Sequence, residues 1–151
     1  MRQELAEMKD LAKTYKWGVV PDFKALSLWV TMYAVYGDLY ILDIKLDNYK
    51  EIPPYFEFID PDTGERGTTH AYPRSANDSF FHTCLCICAP FSRKAYKGVF
   101  ENGPHADWNL GDWMNSKANG TDWSNYSKLS GMLLLIQTRL SRPELYGGRM
   151  G

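Results

Sequence analysis

The sequence predicts an α+β domain. Three patterns carry this: apolar residues at helical spacing near both ends, two-residue alternation in the first third, and an aromatic-rich stretch without period between them. From residue 3 to residue 16, Leu5, Met8, Leu11, Ala12 and Tyr15 recur three and four positions apart, while Glu4, Glu7, Lys9 and Lys13 take the other faces. That spacing predicts an amphipathic helix, stopped by Gly18 and Pro21. Residues 24–35 read as strand, with Leu28, Trp29, Val30, Thr31, Tyr33 and Val35 concentrated there. Gly37-Asp38 offers a tight turn, after which Tyr40, Leu42, Ile44 and Leu46 share one face against Ile41, Asp43 and Lys45. An antiparallel hairpin follows. Beyond Pro53-Pro54, residues 55–59 form a further strand with Phe56 and Phe58 inward, ended by the turn Asp60-Pro61-Asp62-Thr63-Gly64. The expectation is an antiparallel β-meander of three to four strands.

From residue 64 to residue 126 clear period is lost and Gly, Asn, Asp, Ser and Pro accumulate, yet Phe80, Phe81, Trp108, Trp113 and Trp123 are kept. Disordered linkers are poor in aromatics, so this is expected to be a long ordered loop region, and such loops commonly carry function. Helical spacing returns with Leu129, Met132, Leu133, Ile136 and Leu140. Asn125 and Ser127 are candidate N-caps, and Pro143 follows. Tyr146-Gly147-Gly148 is expected to be a turn after this helix. No repeat or low-complexity tract interrupts the order, so one domain spanning residues 1–151 is expected.

A chain of 151 residues, 44% hydrophobic, is long enough for one substantial core. A net charge of -1 lacks the basic footprint of nucleic-acid or anionic-membrane binding. The longest apolar stretches, around residues 39–44 and 132–136, are too short to span a bilayer, and the N-terminus has no signal-peptide profile. Neither a nucleic acid nor a membrane is expected as partner. The three cysteines, Cys84, Cys86 and Cys88, lie within five positions and have no distant partner for a disulfide framework. A reducing, cytoplasmic setting is expected.

These cysteines are the residues best suited to chemistry, and Cys84 sits within Phe80-Phe81-His82-Thr83-Cys84-Leu85-Cys86-Ile87-Cys88-Ala89-Pro90. Several readings stay open. A loop cysteine is reachable by a partner, but free cysteine is also a common small core residue. His70, His82 and His105 supply zinc-ligand types, although Cys-x-Cys-x-Cys lacks the paired two-residue spacing of common structural sites. His82 or His105 also offers a base for a Cys-His protease pair, without a local nucleophile signature.

The order of elements, with Tyr49-Lys50-Glu51-Ile52-Pro53-Pro54 directly before Tyr55-Phe56-Glu57-Phe58 and Cys84-Leu85 further on, resembles the ubiquitin-conjugating enzyme family. A tryptophan and a helix with Ile136-Gln137 and Leu140 follow where that family often has similar residues. The resemblance spans nearly the whole chain. It implies that Cys84 accepts a ubiquitin-like modifier protein as a thioester from an activating enzyme and passes it to an amine on a target protein, with no metal or diffusible cofactor. In that comparison His70 looks like the histidine of the family's His-Pro-Asn signature, and Asn77 is the nearest stand-in for its asparagine. Glu144 matches an acidic residue that helps the incoming lysine.

The chain departs from the family in several places. His-Pro-Asn itself is absent, since His70 is followed by Ala71-Tyr72-Pro73, and His70 lies further from Cys84 than the family's spacing. For Asn77 the alternative is a turn residue; for Glu144, an ordinary surface glutamate. The chain ends soon after its second long helix. With the altered signature, this resembles a divergent member of bacterial ubiquitin-like conjugation systems, some of them linked to antiviral defence. The alternative within the resemblance is a catalytically silent relative, akin to RWD domains, that binds a ubiquitin-like protein without a covalent step.

Overall fold

The computed structural model describes residues 2–151 and has the α+β architecture that the sequence predicts. Helix α1 (Arg2–Tyr15) buries Leu5 and Met8 together with Glu4, and leaves Lys9 and Lys13 in solvent. A four-stranded antiparallel meander in sequential order follows, made of β1 (Gly18–Asp22), β2 (Ser27–Tyr33), β3 (Leu39–Lys45) and β4 (Tyr55–Ile59). Alternation decides which face is inward. Leu28, Val30 and Met32 of β2, Tyr40, Leu42 and Ile44 of β3, and Phe56 and Phe58 of β4 are all buried in one core.

The strand expected over residues 24–35 is β2, but it is shorter: residues 24–26 belong to the turn before it and residues 34–35 lie beyond its end. Chain direction reverses between β1 and β2, where Asp22 Oδ1 accepts the N–H groups of Lys24 and Ala25 at 3.1 and 2.9 Å. Gly18 and Pro21, read as helix stoppers, belong to the edge strand β1. An edge position tolerates proline because one side of the strand has no ladder to feed.

Helix α2 (Leu129–Ser141) packs Leu129, Met132, Leu133, Ile136 and Leu140 onto the same core. Its N-cap is Lys128, not Asn125 or Ser127, and no local side chain caps it. Glu4 of α1 supplies the missing acceptor: Oε1 takes the Leu129 N–H at 2.9 Å and the Tyr49 hydroxyl at 2.8 Å. A carboxylate that is 6% exposed thus satisfies two buried donors and places its charge at the helix's positive end. Gly147 and Gly148 are also not a free turn. They lie in β8 (Tyr146–Arg149), which pairs antiparallel with β5 (Pro73–Ser75).

The region from residue 64 to residue 126 is ordered by short 3-10 turns and by β5, β6 (Phe81–His82) and β7 (Cys86–Ile87). The Tyr49 to Pro54 segment is clamped from this side. Buried Arg93 donates from Nε to the Pro53 carbonyl at 2.8 Å and from Nη2 to the Asp47 carbonyl at 2.7 Å, and the Trp113 indole donates to the Lys50 carbonyl at 3.1 Å. Backbone acceptors that no strand reaches are thereby paired. No helix among the described residues is long and apolar enough to cross a membrane.

Candidate functional site

The cysteines lie on and beside a β-hairpin. Strands β6 and β7 pair Phe81 with Ile87 and His82 with Cys86, leaving Thr83, Cys84 and Leu85 as the connection. The Leu85 N–H closes the turn on the His82 carbonyl at 3.0 Å, and Leu85 takes the left-handed conformation, φ +67°. A three-residue hairpin loop needs such a residue in its last position. The conformation costs a branched residue about 1–2 kcal/mol, offset by packing of the half-buried Leu85 side chain against the core. Cys84 is consequently held near the tip, half-exposed.

Two contacts define the surroundings of Cys84. Its N–H donates to His82 Nδ1 at 3.1 Å, so the imidazole fixes the backbone of the thiol-bearing residue. Its Sγ lies 2.8 Å from Cys86 Sγ. Burial, and then the contact with Cys84, pushes the Cys86 thiol far above its ordinary range. Cys86 therefore keeps its proton, and the two sulfurs share one S–H···S contact.

Lys94, further along the chain, is only 4% exposed. Its Nζ donates to the Tyr72 hydroxyl at 3.2 Å and faces the rings of Tyr72 and Phe100 at 5.5 and 4.8 Å. Burial lowers its pKa, while Glu57, Cys86 and Cys84 oppose the change. Nothing in the local sequence pattern marks Arg93-Lys94 as interior.

The third thiol has its own partner. Cys88 is anchored by its N–H on the Phe80 carbonyl at 2.7 Å, and its Sγ lies 3.1 Å from His105 Nε2. The other ring nitrogen, Nδ1, faces Asp107 Oδ1 at 3.6 Å, and the ring stacks on Trp108 with centroids 3.4 Å apart and planes within 6°. Burial raises the Cys88 thiol to about 11 and lowers His105 below its usual value, with Asp107 opposing the latter shift.

His82, Cys84 and Cys86 bring one donor atom each within 4.8 Å of the others. Their arrangement does not fit a tetrahedral zinc. Two thiolates at zinc stand about 3.8 Å apart given Zn–S near 2.3 Å, and His82 Nδ1 is already taken by the Cys84 N–H.

The remaining residues singled out in the sequence lie in other contacts. His70 Nε2 pairs with Asp62 Oδ2 at 3.0 Å, in a cluster with Asp60. Asn77 donates from Nδ2 to the Glu144 carbonyl at 2.9 Å, so both belong to the seam between the β5 end and the chain leaving α2. That bond gives Asn77 a structural task. The Glu144 side chain is exposed.

Compared with known proteins, the chain matches no family model, no curated protein and no solved structure.

Proposed function

We propose that the chain is a ubiquitin-conjugating-enzyme-like transferase in which Cys84 receives the C-terminal carbonyl of a ubiquitin-like modifier from an activating enzyme and passes it to an amine of a target protein. The observation that carries this reading is the position of Cys84: half-exposed at a hairpin tip, with its sulfur in hydrogen-bond contact with the buried Cys86 sulfur. A thiolate is the attacking species in thioester exchange, and a partly exposed sulfur at a hairpin tip can be reached by a partner's thioester. The helix, meander and helix order around the hairpin agrees with the resemblance in the sequence. A place in a bacterial antiviral conjugation system belongs to the same proposal and rests on that resemblance alone.

The experiment is incubation with activating enzyme, modifier and ATP. A thiol-sensitive adduct is expected, lost in Cys84→Ala and turned into a thiol-resistant ester in Cys84→Ser. Adduct that persists in Cys84→Ala transfers the role to Cys86 or Cys88.

One observation favours the alternative, a silent binding module for a ubiquitin-like protein. On the sheet face turned away from the core, Val20, Trp29 and Tyr33 are exposed at 66%, 44% and 51%, an apolar surface of the kind used for protein contacts. Tight modifier binding with no covalent adduct under the conditions above would decide for it.

A further inference from the structure

We propose that Cys88, His105 and Asp107 form a second acyl-transfer centre, in which Cys88 takes a carboxyl group presented as a thioester. The proposal uses side chains other than Cys84 and does not rest on the reading above.

The geometry is that of a base-assisted nucleophile. Cys88 Sγ and His105 Nε2 stand 3.1 Å apart, within reach for proton transfer, and the far ring nitrogen faces a carboxylate at 3.6 Å. The base is held from several directions. The His105 N–H donates to the Ala95 carbonyl at 3.1 Å, its carbonyl accepts the Lys97 N–H at 2.9 Å, and its ring lies flat on Trp108. A histidine serving only as filler needs no such fixing of ring plane and backbone together. Asp107 is a positioning residue here: it orients the ring and stabilises the imidazolium that forms.

A place for the substrate adjoins the centre. Asp107 and Trp108, the two residues that hold the imidazole, form one end of a groove of about 340 Å³ continued by Asn109, Asp112, Asn115 and Lys117. Asn109, Asp112, Asn115 and Lys117 offer amide, carboxylate and ammonium groups that can pair with a peptide's backbone and side chains, groups for which a fatty acyl chain has no partner. The substrate class is accordingly a peptidyl thioester.

The step balances without a cofactor. The Cys88 S–H proton moves to His105 Nε2 as sulfur attacks the thioester carbonyl. The tetrahedral intermediate then breaks its bond to the departing sulfur, and that thiolate recovers the proton from His105. One thioester is exchanged for another, and nothing is oxidised or reduced. The neutral state of both partners at rest, favoured by their burial, agrees with proton transfer during attack.

The test mixes the protein with a short peptidyl thioester of a small-molecule thiol, with no activating enzyme, and locates the acyl group by peptide mass mapping. Acyl-Cys88 is expected, also in the C84A/C86A variant. H105Q should lower its rate of formation by about a hundredfold, the lower end for a lost general base. D107N should slow it several-fold and D107E should restore most of the rate; because Asp107 is largely exposed, neither change threatens folding. Absence of acyl-Cys88 overturns the proposal. So does an unchanged rate in H105Q that retains the native circular dichroism spectrum, since the pair would then be a structural hydrogen bond only.

Discussion

Two sulfurs 2.8 Å apart compete for the same reagents, and their surroundings decide between them. Cys86 is 1% exposed and holds its proton, whereas Cys84 stands half-exposed above it. Iodoacetamide at pH 8 should therefore label Cys84 well before Cys86, as read by peptide mass mapping over time; earlier labelling of Cys86 would show that the hairpin opens faster than Cys84 reacts. His105 supplies a pH dependence. Its folded pKa lies below the unfolded value of about 6.5 because burial disfavours the cation. The neutral ring's contribution to stability is present above the unfolded value and is lost as pH falls through the folded one. Urea midpoints should drop between pH 7.5 and 5.5, and drop less in His105→Gln. Equal drops in both would place the acid sensitivity elsewhere.

Among the elements, α2 depends most on a distant residue. Its first free N–H is satisfied by Glu4, 125 positions earlier, which also accepts the Tyr49 hydroxyl. Glu4→Ala leaves the buried Leu129 N–H unpaired and the Tyr49 hydroxyl with only the Ser127 carbonyl at 3.4 Å, and should destabilise the protein by about 1–3 kcal/mol, whereas Glu4→Gln keeps an acceptor at the same place and should cost less. Urea unfolding measures both. A loss of under about 0.5 kcal/mol in Glu4→Ala would mean that water replaces the carboxylate.

At the scale of the molecule, α1, the inner sheet face, the β6–β7 hairpin and α2 contribute to one continuous core. Unfolding should be a single transition, with far-ultraviolet circular dichroism and tryptophan fluorescence coincident. A separate fluorescence transition would mean that residues 64–126, which hold Trp108, Trp113 and Trp123, melt on their own.

Much of this organisation was legible in the sequence because it has a period. The inward faces of β3 and β4, the buried stripe of α1 and the span of α2 follow from spacings of two and three to four residues. Strand β1 was not legible: Gly18 and Pro21 are breakers by propensity, and only pairing with β2 makes a strand of them. The cysteine cluster was visible as a motif and Cys84-Leu85 as part of a resemblance. The burial of Lys94 and the meeting of Cys88 with His105, 17 positions on, depend on folding of the aperiodic region, where local sequence carries no spacing signal.

The Glu4 contact bears on synthesis. A nascent polypeptide has its first helix outside the ribosome long before residue 129 leaves the exit tunnel, so until then this carboxylate has no helix end to neutralise it and Tyr49 has only solvent. Co-translational assembly of the meander must therefore proceed with its opening segment undocked, and late-emerging residues complete the tertiary structure. A stalled or prematurely terminated product lacking the last two dozen residues should accordingly be bound by chaperones or degraded rather than persist as a smaller folded unit.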